Sequence, residues 1–247
     1  MRLTVHEAGP ADAPAVVLVH GWAQSGAAWP EGVDGYRTYA VDLRGHGESD
    51  EPLDGYRDSA AWAEDLAAVL AHVGRPAVLV GWSYGGLVIM DYLRVHGTAQ
   101  VTGLVLAGAI TEIGRGRPGG KIGQVMRAAL PAALTDDDAL ADFCAAMAPA
   151  LTVDTVKQLT VAALRVSPAV RAALFQRDVS SADVLAAIDV PTVVLHGVDD
   201  QVVSPAAGEH AAATIPGADL VLLPDTAHLP FLERPVEFAA ALAKVAR

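Results

Sequence analysis

Short, uninterrupted apolar runs separated by longer amphipathic stretches constrain this chain more than any other feature. AVVLV over 15–19, PAVLVGW over 76–82, VTGLVLAGA over 101–109 and PTVVLHG over 191–197 are nearly free of polar side chains. A strand with one solvated face would alternate, so continuous apolar strands predict a parallel sheet covered on both faces by helices. The stretch RDSAAWAEDLAAVLAHVG sets Trp62, Leu66, Val69, Leu70 and Val73 at helical spacing. Asp58 or Ser59 can cap its start and Gly74 its end. Leu87 to Val95 also reads as a helix. MRLTVHEAGP at the start of the chain alternates and predicts a strand, as does Tyr39 to Val41. ADLVLLP over 218–224 predicts the last strand. Ser204 and Pro205 open the helix before it, and Pro235 opens a final helix.

From about Thr111 to Ile188 the pattern changes. No buried strand is legible there, and an Ala-rich, helical tone is punctuated by Pro118, Gly119, Gly120, Pro131, Pro149 and Pro168. The stretch is too long for a plain connection. The expected organisation is a core domain over 1–110 and 189–247, with a helical cap inserted over 111–188 above one end of the sheet. The fold class is α/β.

Composition closes off several function classes. With 52% hydrophobic residues in 247, the chain can bury a large core and is not disordered. A formal net charge of -12 repels phosphate backbones, so nucleic acid is not an expected partner. No apolar run approaches the ~20 residues of a membrane span, and no secretory leader is visible. A cytoplasmic protein with a small-molecule substrate is the expectation. Cys144 is the only cysteine and reads as small apolar filler on a helix face.

The chemistry centres on Gly81-Trp82-Ser83-Tyr84-Gly85, with Gly86 following. A G-x-S-x-G pattern alone is weak, but this one joins a strand run to a helix. Such a tight turn strains its central residue and lifts the Ser83 hydroxyl above the sheet edge, beside a helix N-terminus that favours negative charge. A serine hydroxyl needs a base. His228, in the loop after the last strand, can supply it. The base needs an orienting carboxylate. Asp199 and Asp200 compete at the end of PTVVLHGVDD, and the turn after Gly197 favours Asp200. An oxyanion would need backbone donors. The N–H of Tyr84 is one candidate; that of Trp22, in the His20-Gly21-Trp22 loop, is the other. Trp22, Tyr84, Met126, Phe143, Met147 and Leu151 are candidates to line an apolar pocket, which would suit medium acyl chains or a hydrophobic alcohol.

Taken in order, HGW, DLRGHGESD, GWSYGG, HGVDDQVVS and AHLPFLERP resemble the motifs of the α/β-hydrolase superfamily. The resemblance spans the chain apart from the insertion. It is similar to the small esterase and cofactor-free haloperoxidase (perhydrolase) group, and to the carboxylesterase that cleaves pimeloyl methyl esters. It implies Ser83, Asp200 and His228 as a triad in the family's chain order and Trp22 and Tyr84 as oxyanion donors. Ala227 stands where many relatives have glycine before the histidine. The resemblance also implies that DLRGHGESD is a structural loop with Arg44 held in internal hydrogen bonds, rather than a metal or anion site. No cofactor or metal is expected, since no close-spaced ligand pair appears. The expected function is ester hydrolysis through a covalent serine ester. A serine, rather than an aspartate, at the turn argues against dehalogenase and epoxide hydrolase chemistry. Two alternatives stay open: a cofactor-free haloperoxidase or perhydrolase, and a non-catalytic ligand-binding protein on the same scaffold.

Overall fold

The computed structural model describes residues 1–246. The strands are β1 (Val5–Ala8), β2 (Ala15–Val19), β3 (Arg37–Val41), β4 (Ala77–Trp82), β5 (Val101–Ala107), β6 (Thr192–Gly197) and β7 (Asp219–Leu223). They form one sheet in the order β1-β3-β2-β4-β5-β6-β7. β1 is antiparallel to β3, and every other pair is parallel. The apolar runs are the central strands, and β2, β4 and β6 are buried along their whole length. β7 is an edge, so Leu220 and Leu222 stay partly exposed.

Helix α1 (Ser59–Val73) begins where the Asp58 carboxylate accepts the Ala60 N–H. It ends at Gly74, whose φ of 71° is left-handed. It packs on α2 (Tyr84–His96), which lies on β2 and β4. Between β5 and β6 come α3 (Gln124–Ala133), α4 (Asp137–Met147), α5 (Val153–Leu164), α6 (Pro168–Leu174) and α7 (Ala182–Ala186). Pro131 does not break this segment; it sits in the last turn of α3, where its missing N–H costs a single helix bond. An antiparallel bridge between Ile113 and Val179 closes the base of the segment, and α7 packs between α2 and α8 (Pro205–Thr214). Ser204 occupies the position before α8, but its hydroxyl makes no capping bond; Pro205 sets the first turn. α9 (Pro230–Glu233) follows the last strand, and α10 (Pro235–Val245) covers β5 and β6.

The strand order fixes where a ligand can enter. From β2 the chain steps outward to β3, then crosses back to β4 on the other flank of β2. That reversal opens a crevice at the carboxyl ends of β2 and β4, the usual ligand position in open parallel sheets.

The loop after β3, DLRGHGESD, is structural. Asp42 accepts N–H bonds from Gly26 at 2.7 Å and Glu48 at 2.8 Å. Arg44 donates to Asp65 at 2.6 Å and to the Ala61 carbonyl at 2.8 Å. His46 bonds the Arg44 carbonyl at 2.8 Å, and its ring lies tilted against His20 with centroids 5.1 Å apart. Burial holds both rings neutral, pushing His20 down to about 4 and His46 down to about 3. An unfolded histidine titrates near 6.5, so below that pH the unfolded chain binds protons that the folded one refuses. Stability from this pair is therefore complete above about pH 6.5 and lost as pH falls toward 4, by about 1.4 kcal/mol per pH unit for each ring. Thermal unfolding between pH 8 and 4 should show this decline, and His46→Gln should reduce its slope by about half, the His20 share remaining, whatever its effect at pH 8.

Candidate active site

Ser83 sits at the carboxyl end of β4 as the residue before α2, with φ 54° and ψ -120°. Few non-glycine residues adopt this geometry, at a typical cost of ~1–3 kcal/mol. Neighbouring backbone over-determines it. The Ser83 N–H donates to Ala107 O at 3.3 Å, and its carbonyl accepts from Gly86 and Ile110, both at 3.1 Å. Close packing explains the glycines. A Cβ on Gly85 would overlap the Val19 carbonyl, and one on Gly86 would lie 2.6 Å from Ile110 O. β2 and α2 thus approach closely enough to bring the HGW loop over the serine. A Cβ on Gly21 would sit 2.9 Å from the Ser83 Cβ.

His228 and Asp200 come from the loops after β7 and β6. The His228 Nδ1 lies 2.8 Å from the Asp200 Oδ2, with both side chains buried. Asp199 is exposed, and its backbone N–H is used on Thr226 O at 3.0 Å. The other Asp200 oxygen accepts N–H bonds from Val202 at 2.8 Å and Val203 at 2.9 Å. Burial raises the Asp200 carboxyl, but the charge of His228 and hydrogen bonds from His196 and His228 outweigh it. The group is held well below the usual carboxylate range. It therefore stays ionised at any working pH. With Nδ1 committed to Asp200, Nε2 is the ring nitrogen left for a nucleophile.

The histidine loop is itself pinned. The Glu233 carboxylate accepts the Ala227 N–H at 2.8 Å and the Leu229 N–H at 2.9 Å. The Trp82 indole donates to His228 O at 2.9 Å, and the His228 N–H donates to Met147 O at 3.2 Å. That last bond ties the end of α4 to the histidine.

In the HGW loop, the His20 Nε2 accepts the Leu43 N–H at 3.0 Å, so its Nδ1 carries the proton and donates to Gly21 O at 2.8 Å. In a trans peptide the carbonyl and the next N–H point opposite ways. Holding the Gly21 oxygen thereby aims the Trp22 N–H away from His20. The N–H groups of Trp22 and Tyr84 meet no protein acceptor among the described residues.

A cavity of about 10 Å³ brings together Gly21, Trp22, Trp82, Ser83, Met126, Phe143, Met147, Val202 and His228. That is room for about one water. The candidate pocket residues Trp22, Met126, Phe143 and Met147 line it, while Leu151 does not. Tyr84 departs from expectation: its side chain is directed elsewhere, its hydroxyl bonding Leu174 O at 3.2 Å and Arg177 at 3.1 Å. Tyr84 does not line the cavity, and only its main-chain N–H, next to Ser83, remains as a candidate contribution. Val202 and His196, whose Nε2 is 3.3 Å from Asp200 Oδ2, lie within the motif HGVDDQVVS, where the residues alone attach no role to them. Trp82 and Glu233 lay within the quoted motifs GWS and LERP without a role attached. Cys144 is buried and its thiol is pushed up to about 11 by burial, which makes it inert.

A family described as "Alpha/beta hydrolase family" matches residues 16–241. The crystal structure of an esterase from Rhodococcus sp. ECU1013 superposes with a TM-score of 0.92 at 45% identity, covering 98% of this chain and 93% of that one. A non-heme chloroperoxidase of Kitasatospora aureofaciens is 32% identical over 86% of this chain and 84% of its own. A pimeloyl-[acyl-carrier protein] methyl ester esterase of Stenotrophomonas maltophilia is 31% identical over 93% and 91%.

The elbow packing carries a direct test. Gly85→Ala should cost about 1–3 kcal/mol or more in urea unfolding, because the new methyl meets a backbone carbonyl that cannot rotate away. A loss below about 1 kcal/mol would mean the helix can retreat from β2.

Proposed function

The chain belongs to the alpha/beta hydrolase family, and from that premise we propose that it hydrolyses small carboxylic esters through an acyl-enzyme on Ser83. The observation that carries this is the 2.8 Å bond from His228 to a buried Asp200, with His228 and Ser83 lining one cavity.

The steps follow from the atoms. The Ser83 oxygen attacks the ester carbonyl as the His228 Nε2 takes its proton. Asp200 fixes the ring tautomer and stabilises the imidazolium. The negative oxygen of the tetrahedral intermediate is held by the Trp22 and Tyr84 N–H groups, each such donor being worth roughly 3 kcal/mol. The imidazolium then protonates the departing alkoxide. Water enters, gives its proton to His228 and attacks the acyl carbon, and Ser83 leaves with the proton. Phe143, Met126 and Met147, from α3 and α4, keep bulk water out.

The 45% identity to a protein described as an esterase supports this chemistry. A second reading uses the same acyl-enzyme with hydrogen peroxide in place of water, giving a peracid and free Ser83. Similarity to a non-heme chloroperoxidase favours it. Because Met126, Phe143 and Met147 close the cavity to about one water and a substrate would have to displace them, small acyl groups should be favoured over the medium chains expected from apolar pocket residues alone.

A fluorophosphonate probe should label Ser83, and Ser83→Ala should lose turnover of p-nitrophenyl acetate while keeping its Tm. Asp200→Asn should lower kcat by about 10,000-fold through the wrong imidazole tautomer. Turnover should fall with acyl length from acetate to octanoate, and Met147→Ala should shift the optimum to longer chains. An intact rate in Ser83→Ala would sink the proposal. Peroxide-dependent bromination in acetate buffer would establish the second reading, and its absence would remove it.

A further inference from the structure

The last carbonyls of a helix have no partner within it. In α6 two of these are met by the side chains of Trp22 and Tyr84. The Trp22 indole N–H donates to Arg171 O at 3.0 Å, and the Tyr84 hydroxyl donates to Leu174 O at 3.2 Å. These are the two residues whose main-chain N–H groups face the developing oxyanion in the proposed reaction. Phe175, directly after α6, packs its ring edge-on against Trp22, with centroids 5.4 Å apart.

Two residues further on, Arg177 reaches into the sheet-facing helices. It donates to the Tyr84 hydroxyl at 3.1 Å, to Asp91 on α2 at 2.6 Å and to Ser59 at the start of α1 at 2.9 Å. The side chains of Arg177 and Asp91 are fully buried. The guanidinium also lies 5.9 Å from the ring centres of both Trp62 and Tyr84. Burial pushes the Tyr84 phenol up to about 12, so it is a neutral hydroxyl that can accept from Arg177 and donate to Leu174. A buried ion pair is seldom the most stable filling for such a site; apolar side chains of similar size often serve as well or better. What the pair supplies is orientation, because the planar guanidinium ties Ser59 on α1 to Tyr84 and Asp91 on α2 at once.

We propose that Arg177 and the carboxyl end of α6 form a positioning clamp that sets the Trp22 and Tyr84 N–H groups, so that the oxyanion site is complete only while the helical segment is seated on the sheet. This rests on the assignment of those two residues as oxyanion donors. Donors displaced by a fraction of an ångström still let substrate bind but stabilise the tetrahedral intermediate poorly. The clamp therefore acts on kcat and not on KM.

Two variants separate the clamp from general stability. Tyr84→Phe removes one hydroxyl and leaves the ion pair intact. Arg177→Lys keeps a charge for Asp91 but cannot span three partners. The readouts are kcat and KM for p-nitrophenyl acetate, per active site titrated with a fluorophosphonate, and inhibition by phenylboronic acid, which becomes tetrahedral on a serine. In Tyr84→Phe, kcat should fall about tenfold or more with KM within about twofold, and boronate affinity should fall in step. Arg177→Lys should fall further; should it not fold, Tyr84→Phe decides alone. A kcat per titrated site within about twofold of the parent, or a loss confined to KM, overturns the clamp. Ser83→Ala separates the two levels. Full turnover by that variant sinks the underlying mechanism, whereas its inactivity beside an undiminished Tyr84→Phe sinks only the clamp.

Discussion

Close approach of α2 to the end of β2 is the constraint on which the rest of the structure depends. Gly85 and Gly86 allow the helix backbone to lie against the Val19 and Ile110 carbonyls. With the helix that near, the chain leaving β4 must turn through the strained geometry of Ser83, and three backbone bonds hold it there. The same proximity puts the Gly21 backbone beside the serine. A larger residue at Gly85 would separate these parts together. The strain of one residue is thus offset by the packing of two elements, and the Ser83 hydroxyl stands at the carboxyl edge of the sheet as a result.

Much of this was legible in the residues. The apolar runs are the central strands because only a sheet covered on both faces accepts them. Asp58 and Gly74 bound α1 as their capping chemistry requires. Asp200, rather than its neighbour Asp199, meets His228 because the turn after Gly197 directs it inward. What stayed hidden depends on distant elements. The sequence around Tyr84 gives no hint that its ring turns from the cavity, since that direction is set by Leu174 and Arg177, some ninety residues on. Val202 enters the cavity because the backbone after Asp200 folds back to bond its carboxylate. Pro131 read as a breaker because its local cost is visible in sequence; in α3 it removes one bond to the preceding turn and the helix ends two residues later, so nothing beyond it has to stay aligned.

The helical segment between β5 and β6 does more than cover. Met147 lends its carbonyl to the His228 N–H, and Phe143 packs its ring 5.5 Å from Trp22. Met126, Phe143 and Met147 reduce the cavity to about one water. In the proposed reaction a low-dielectric enclosure strengthens every hydrogen bond to the developing charge, and an incoming ester would have to displace these side chains. In that reaction substrate choice and electrostatic stabilisation would share the same residues.

The central claim is that Ser83 carries the acyl group. Acid quench during turnover of an acetate ester, followed by peptide mass analysis, tests it most directly. The expected result is an acetyl group on the peptide containing Ser83, and on Ser83 itself after fragmentation. An unmodified Ser83 peptide under conditions of accumulated intermediate, or an acetyl group on another side chain that turns over at the catalytic rate, would contradict it.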